Sequence, residues 1–172
     1  MTQAAGSHRS RPRMEQNMTT DADRLTFQLA YGDCDAVGIA YFAIYYPWME
    51  RLYTTWMYSH GIRAGELTER FGVFTVGMQS ECRYFAPCRV FDVLSCQLVL
   101  DHIGTSSYQL GFDFTRDGEI VTHGRILYAC RSIDGTKAPI PAEIRSALES
   151  LPVSPHSGAA GSPVAVPARG RR

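Results

Sequence analysis

Two carboxylates separated by one residue, Asp33 and Asp35, are the side chains of this sequence best suited to chemistry. They lie in the stretch YGDCDAVGIAYF at residues 31–42, and an aromatic-rich segment with helical spacing follows directly. The first backbone N–H groups of a helix have no intrahelical acceptor, so they can stabilise a negative charge. A carboxylate beside such a helix end combines a base or nucleophile with donors for a developing oxyanion. This combination suits attack on a carbonyl group.

The spacing alone leaves other interpretations of these residues open. An aspartate that precedes a helix commonly caps it by accepting hydrogen bonds from free N–H groups. Asp33 and Asp35 could share a metal ion, although no further carboxylate or histidine lies nearby in sequence to complete its coordination. Cys34 could act as a nucleophile, but no histidine is close in sequence and its side chain is expected to point away from its neighbours.

The surrounding elements predict one curved antiparallel sheet around one long helix. Apolar residues alternate in a first strand at 24–31, and the spacing over 39–60 predicts a helix that is kinked or restarted at Pro47 and ends at Gly61. Four later segments have strand-like alternation, at 73–85, 91–102, 107–116 and 119–132, and a short helix is expected at 141–151. Because the long helix is apolar on a wide face, we expect the sheet to wrap around it. This is the hotdog arrangement, an α+β fold of about five strands.

One detail of this prediction concerns the strand at 73–85. Its apolar side chains occur at even positions, so we expect them to share one face of the sheet: Phe74, Val76, Met78, Cys82 and Tyr84.

The composition indicates a single globular domain. Hydrophobic residues make up 45% of the chain and aromatic residues 11%. No apolar run approaches the roughly 18 residues of a membrane helix, and the acidic excess in residues 25–150 argues against nucleic acid as the main ligand. Five cysteines without a CxxC pair favour neither disulfides nor zinc, so a reduced, cytoplasmic protein is expected. Residues 1–23 and 152–172 are expected to be disordered, which leaves a folded domain at 24–151.

Residues 31–42, continued by YYPWME to Glu50, resemble the signature of the 4-hydroxybenzoyl-CoA thioesterase family of hotdog hydrolases. That signature is an aromatic residue, Gly, Asp, any residue, Asp, two residues, Gly, two apolar residues and an aromatic pair. The resemblance implies an acyl thioesterase that cleaves an acyl-CoA or acyl-carrier-protein thioester without metal or organic cofactor. It also implies a homodimer or homotetramer with active sites between subunits.

The resemblance assigns the catalytic roles by position. Asp35 matches the catalytic carboxylate, as nucleophile or general base, and Asp33 matches a position that stabilises the turn. The oxyanion donor is the backbone N–H of Phe42 or of its neighbour Tyr41.

Further residues of the same stretch are implied to bind the substrate. Glu50 is placed in the acyl pocket, where it can accept a hydrogen bond from a substrate hydroxyl, and Gly38 and Tyr45 are the other expected contacts. The alternative for Glu50 is a solvated helix acid paired with Arg51. Tyr46 and Trp48 could line the same pocket, but aromatic residues at helical spacing are more often core.

The sequence departs from the family pattern where the coenzyme A phosphates would bind. The stretch DHIGTSS at 101–107 has no Arg/Lys cluster. This favours an acyl group on the phosphopantetheine arm of a carrier protein, with Arg83 or Arg89 meeting its acidic surface. The aromatic helix favours an aromatic or polyketide-like acyl group.

Two rival functions remain open from the sequence. A hotdog dehydratase of 3-hydroxyacyl thioesters commonly uses a histidine with an acid, and no histidine lies in the motif. A non-catalytic module that binds an acyl thioester or a carrier protein would keep its function when Asp35 is replaced. Of the other histidines, His60 is expected to meet the last carbonyls of the helix, and His102 and His123 have no assigned partner.

Overall fold

A computed structural model describes residues 20–154, which form one antiparallel sheet and three helices. The strands are β1 Thr20–Asp21, β2 Arg24–Gln28, β3 Val73–Tyr84, β4 Val93–Ile103, β5 Ser107–Arg116 and β6 Glu119–Ser132. The helices are α1 Tyr45–Ser59, α2 Leu67–Phe71 and α3 Ala142–Glu149. The strands lie in the order β1-β2-β4-β5-β6-β3. The predicted α+β architecture is therefore observed, with one additional strand of two residues.

The long helix α1 packs its apolar face onto the sheet. Its buried side chains are Tyr45, Met49, Leu52, Tyr53, Trp56 and Met57. They meet the inward side chains of β4 and β5, which alternate with outward polar residues as the period of two requires. Each such side chain, fully buried, contributes roughly 1.5–3 kcal/mol relative to exposure, so this contact stabilises the position of α1.

A glycine in β6 permits the close approach of α1. A Cβ atom at Gly124 would overlap the sulfur of Met49 and lie 3.5 Å from the sulfur of Cys82. Gly124 faces Phe112 of β5 across the sheet, so it belongs to the inward face. The missing side chain is therefore what lets Met49 pack directly on the β6 backbone.

A proline lies near the start of α1 and a glycine lies at its end. The helix begins at Tyr45, so Pro47 lies in its first turn, where its missing N–H removes no intrahelical bond. Residues 42–44 form a turn instead of the expected helix. Gly61 has a φ of 68°, and its N–H and that of Ile62 bond to Tyr58 and Met57 carbonyls, at 2.9 and 3.0 Å. These two bonds are a Schellman motif, and α1 ends at Gly61 as predicted.

A bulge in β3 overturns the prediction that its even-numbered apolar residues share one face. Its pairing with β6 shifts between Gly77 and Gln79, so Met78 is an extra residue. Cys82 lies opposite Gly124 on the inward face, whereas Val76 lies opposite Ala129 on the outward face. An extra residue reverses the facing of everything beyond it, which the composition of the strand does not reveal.

The described chain extends past both expected boundaries of the domain. Thr20 and Asp21 pair with Leu25 and Arg24, before the expected start at residue 24. Val153 forms a parallel bridge with Leu100, after the expected end at residue 151. The remaining parts of the expected tails, residues 1–19 and 155–172, lie outside the described residues.

Two shorter helical segments complete the fold. The predicted C-terminal helix is present as α3, whereas α2 and the single turn before it were not predicted. An ion pair of 2.8 Å between Arg70 of α2 and Glu143 of α3 joins them. Within residues 20–154, none of the helices has the length and hydropathy needed to cross a membrane.

Candidate active site

Asp33 closes the turn that opens the motif. Tyr31–Asp33 form a single 3₁₀ turn, and Asp33 Oδ2 accepts the Ala30 N–H at 2.8 Å. The Asp33 carbonyl accepts the Tyr41 N–H, also at 2.8 Å. Asp33 therefore joins the first and last residues of the loop, which agrees with the structural role expected for it.

Asp35 lies at the exposed tip of the same loop. Its Oδ1 accepts the Val37 N–H at 2.8 Å, and Gly38, with a φ of 79°, donates its N–H to the Asp35 carbonyl at 2.9 Å. Within residues 20–154, Oδ2 accepts no hydrogen bond. Neither aspartate caps α1, because the residue before that helix is Ile44 and no side chain bonds to the first turn. The capping interpretation is therefore wrong, and one oxygen of Asp35 is open to solvent or substrate.

The loop is a small hairpin that is anchored to the segment before β4. Cys34 and Ala40 form an antiparallel bridge, the Asp35 N–H bonds to the Ile39 carbonyl at 2.9 Å, and the Ala40 N–H bonds to the Cys88 carbonyl at 2.8 Å. Ile39 in turn bridges to Arg89. The hairpin thereby places the Asp35 tip and the start of α1 on one anchored unit.

The turn that leads into α1 presents unpaired backbone donors. The Tyr41 N–H donates to the Asp33 carbonyl, and the Ile44 N–H donates to the Tyr41 carbonyl at 2.9 Å. Between them, the N–H groups of Phe42 and Ala43 have no acceptor in the described chain. Phe42 is 60% exposed. Of the two oxyanion donors expected from the resemblance, only the one at Phe42 is available.

A tyrosine from the sheet contacts this turn. The Tyr84 hydroxyl, at the end of β3, donates to the Phe42 carbonyl at 2.7 Å. The two residues are far apart in sequence, and no local pattern connects them. This contact was not predicted.

A comparison of the sequence with models of protein families identifies the family of this chain. A model of the thioesterase-like superfamily matches residues 29–148, which are more than half of the chain and include the hairpin, α1, α2 and β3 to β6. The chain belongs to the thioesterase-like superfamily. The predicted resemblance and the hotdog fold are thereby confirmed.

Individual relatives of this thioesterase-like protein are distant. A 1,4-dihydroxy-2-naphthoyl-CoA hydrolase of Prochlorococcus marinus (strain NATL2A) is 25% identical over 96 residues, 52% of this chain and 62% of that protein. The chain thus aligns with less than two thirds of the length of this curated relative.

Solved structures of similar fold cover both chains more fully. A 1,4-dihydroxy-2-naphthoyl-CoA thioesterase from Synechocystis has a TM-score of 0.68 at 17% identity, over 75% of this chain and 96% of its own. A gentisyl-coenzyme A thioesterase has a TM-score of 0.63 at 22% identity, over 73% and 98%. The dynemicin thioesterase has a TM-score of 0.65 at 23% identity, over 76% and 97%. These similarities concern the fold.

The cations expected near the site of this thioesterase-like protein lie in different places. Arg89 adjoins the hairpin and is exposed. Arg83 lies opposite His123, on the sheet face turned away from α1. Partial burial raises the pKa of Asp92, but the Arg89 N–H and the Arg116 guanidinium, which donate to it at 2.8 and 2.6 Å, lower it below its usual value overall. Arg116 is therefore engaged in structure, whereas Arg89 lies beside the hairpin.

The other expected substrate contacts divide between surface and core. Glu50 is exposed on α1 and makes no ion pair with Arg51, whose guanidinium lies 4.8 Å from the centre of the Trp48 ring. Trp48 stacks on Phe27 with ring centres 3.8 Å apart. Tyr45 is buried, and this burial raises its pKa above the usual range. Tyr45 and Trp48 thus pack in or against the core, while Glu50 stays accessible.

The thiol between the aspartates is not activated. Burial raises the pKa of Cys34, and the negative charges of Asp33, Asp35 and Asp92 raise it further. A raised pKa lowers the fraction of thiolate, the form that attacks carbonyl groups. A nucleophilic role for Cys34 is therefore disfavoured.

Two histidines gain partners in the structure. His60 Nδ1 contacts the Trp56 carbonyl at 2.9 Å, as expected for a histidine at a helix end. His123 Nδ1 contacts Asp113 Oδ1 at 2.6 Å, and Arg125 Nε donates to His123 Nε2 at 3.1 Å. This second group lies on the outward face of the sheet, because Asp113 and His123 face each other between inward-facing neighbours. It was missed because its members come from separate strands.

Proposed function

We propose that this protein hydrolyses acyl-CoA thioesters, with Asp35 as nucleophile or general base and the Phe42 N–H as oxyanion donor. The observation that carries the proposal is a pair of unused groups: Asp35 Oδ2 on the hairpin and the Phe42 N–H in the turn that follows it. A carboxylate with no competing partner is free to act on a substrate or a water, and a free N–H is free to bind a carbonyl oxygen. Membership of the thioesterase-like superfamily supports the same reaction.

Two routes use these groups. In the first, Asp35 attacks the thioester carbon, the C–S bond breaks, the thiolate leaves, and water then hydrolyses the resulting anhydride. In the second, Asp35 takes a proton from a water that attacks the same carbon, and the C–S bond then breaks with loss of the thiolate. In both routes negative charge develops on the carbonyl oxygen, where one donor in a site shielded from water contributes roughly 2.7–4 kcal/mol.

The acyl group is proposed to be aromatic. The relatives named above include enzymes for 1,4-dihydroxy-2-naphthoyl-CoA and gentisyl-coenzyme A. Exposed aromatic side chains flank the hairpin here, with Tyr41 and Phe42 4.6 Å apart and Tyr31 and Phe91 5.4 Å apart between ring centres. Such rings can stack on an aromatic acyl group. Glu50, exposed and without an ion-pair partner in the described chain, can accept a hydrogen bond from a ring hydroxyl.

A carrier protein is the second candidate for the thiol part of the substrate. The turn between β4 and β5, residues 104–106, reads GTS and contains no cation. Arg89, exposed beside the hairpin, could meet an acidic carrier surface, whereas the position of Arg83 on the opposite sheet face makes it a weaker candidate.

The proposed assembly is a homodimer or a homotetramer. Strand β3 is the last strand of the sheet, so one of its edges has no partner within the described chain. Met78 on this strand is 55% exposed. An unprotected edge with an apolar side chain is a ready template for pairing with a second copy.

The proposal of a cytoplasmic location rests on the cysteines. All five are free thiols, and three of them are buried. Unpaired thiols in this number suit a reducing compartment.

Thiol release from a panel of aromatic and aliphatic acyl-CoA and acyl-carrier substrates tests the reaction. Asn at position 35 keeps an oxygen for the Val37 N–H but loses the charge, so Asp35→Asn is expected to fold normally and to lower kcat on the order of 10²–10⁴-fold. The matched control is Asp33→Asn, which keeps an acceptor for the Ala30 N–H and is expected to stay within a few-fold of wild type.

Three results would contradict the proposal: no thiol release from any substrate, an Asp35→Asn variant as fast as wild type, or an equal loss in both variants. The first result would leave the dehydratase and the binding module as the remaining functions. Faster turnover of carrier-bound substrates than of coenzyme A thioesters would favour the second candidate for the thiol.

A further inference from the structure

The free N–H groups at the start of α1 belong to two peptide groups whose carbonyls are both hydrogen-bonded. The Phe42 N–H shares its peptide with the Tyr41 carbonyl, which accepts the Ile44 N–H at 2.9 Å. The Ala43 N–H shares its peptide with the Phe42 carbonyl, which accepts the Tyr84 hydroxyl at 2.7 Å. A hydrogen bond to the carbonyl of a peptide polarises that peptide and strengthens its N–H as a donor.

The two carbonyls differ in where their partner comes from. The bond from Ile44 is local and forms with the turn itself. The bond from Tyr84 comes from the last residue of β3, which pairs with Thr122 of β6. The Tyr84 ring is further held at 5.6 Å from the ring of Tyr45, the first residue of α1. The sheet and α1 therefore hold Tyr84 in place, and from this position its hydroxyl contacts the exposed turn.

The hydroxyl of Tyr84 is suited to act as a permanent donor. Burial raises its pKa above the usual range, and the neighbouring Cys82 raises it further. The hydroxyl thus keeps its proton through the neutral and mildly alkaline range and donates to the Phe42 carbonyl.

We infer that Tyr84 is a positioning residue for thioester hydrolysis, which orients and polarises the Phe42–Ala43 peptide so that the Ala43 N–H joins the Phe42 N–H as a second donor to the oxyanion. This inference rests on the proposed function. It assigns Tyr84 no contact with the substrate and no proton transfer. It places the support of the oxyanion donors in the sheet, outside the hairpin that holds Asp35.

The first test is Tyr84→Phe, which keeps the ring and removes the hydroxyl. We expect kcat for an acyl-CoA substrate to fall about three- to tenfold, the rate equivalent of one net hydrogen bond, with KM unchanged. The matched control is Tyr58→Phe, a tyrosine at the far end of α1, which is expected to leave both constants unchanged. The pH profile of kcat should keep its shape, since Tyr84 transfers no proton.

Two inhibitors separate positioning from a general loss of structure. A trifluoromethyl ketone analogue of acyl-CoA adds water or the Asp35 carboxylate and then presents a tetrahedral oxygen at the position of the oxyanion, whereas the thioether analogue has no carbonyl oxygen. In Tyr84→Phe the inhibition constant of the ketone should rise by the same factor by which kcat falls, and that of the thioether should not change.

Several outcomes overturn the inference. These are a kcat equal to wild type, a higher KM with constant kcat, an equal weakening of both inhibitors, or the loss of one limb of the pH profile. A wild-type protein that cleaves no thioester defeats the proposed function and this inference with it. Activity in the wild type with no effect of Tyr84→Phe defeats the inference alone.

Discussion

Substitution of Gly124 by alanine is expected to destabilise the protein by loosening the contact between α1 and the sheet. The new Cβ would overlap the Met49 sulfur, so either Met49 leaves its favoured rotamer or α1 moves outward. Overpacking of this kind costs roughly 1–3 kcal/mol, and the lower chain entropy of alanine in the unfolded state offsets about 0.4–1 kcal/mol of it. The expected net loss is about 1–2 kcal/mol, or a fall of roughly 3–8 °C in Tm for a domain of this size.

The assay is thermal and urea unfolding at a fixed protein concentration, with Gly65→Ala as the matched control. The backbone of Gly65 lies outside the left-handed region, and a Cβ atom there would have no neighbouring atom within 4 Å. Its substitution is therefore expected to be neutral or slightly stabilising. Combining Gly124→Ala with Met49→Ala closes a double-mutant cycle, because the smaller side chain vacates the space that the new Cβ needs.

The cycle should show that the two changes together cost less than their sum. Because Met49 lies one turn after Tyr45, an outward shift of α1 also displaces the Phe42 turn, and kcat is expected to fall in Gly124→Ala. A Gly124→Ala protein as stable as Gly65→Ala, or strictly additive costs in the double variant, would refute the packing contact described for α1.

Three further predictions concern the reaction, the pH dependence and the assembly. In rapid mixing with excess acyl-CoA, nucleophilic attack by Asp35 with slow anhydride hydrolysis gives a burst of thiol of about one equivalent ahead of the acid, whereas general-base action releases thiol and acid together. Burial raises the pKa of the Cys96 thiol well above its usual value and that of the Tyr53 hydroxyl to about 12. The folded protein favours the protonated forms of both groups. Their contribution to the free energy of unfolding is therefore fully present below the pKa of a thiol in the unfolded chain, about 8.5, and is lost as the pH rises through the pKa values of the folded protein. Urea unfolding from pH 8 to 11 should show this decline, and a constant free energy of unfolding would contradict it. Met78→Asp on the β3 edge should shift the oligomer towards monomer in light scattering. Val153→Asp, at a residue that is also exposed but is bridged to β4, should not. Unchanged oligomers in both variants would contradict pairing through β3.

Periodicity allowed most of the fold to be predicted. Alternation in β4 and β5 and the helical spacing around Leu52 report burial directly, because each element has only one way to turn its apolar residues to the core. Gly61 and Pro47 marked the ends of α1 for reasons that are local to the backbone. The start of α1 was placed too early, because the apolar residues of the hairpin and its turn continue the helical pattern.

The site was predictable only as far as its chemistry is contained in one stretch of chain. Asp33 and Asp35 could be found by type and spacing, but which N–H stays free depends on the Asp33 carbonyl, which captures the one at Tyr41. The contact from Tyr84 depends on how β3 meets α1. Pairings between distant segments leave no periodic trace, so these features required the structure.

The bulge at Met78 has a consequence for how the gene can change. Removing this one codon would join Gly77 to Gln79, whose partners Tyr128 and Leu127 are already consecutive, so β3 would become regular with every remaining side chain on its present face. Tyr84 lies on the other side of the bulge and keeps its pairing with Thr122 whenever the later half holds its register. Insertions and deletions before residue 78 therefore leave the Tyr84 contact in place, while those after it alter the support of the active-site turn. The early half of β3 can therefore change without changing the contact between Tyr84 and the Phe42 carbonyl.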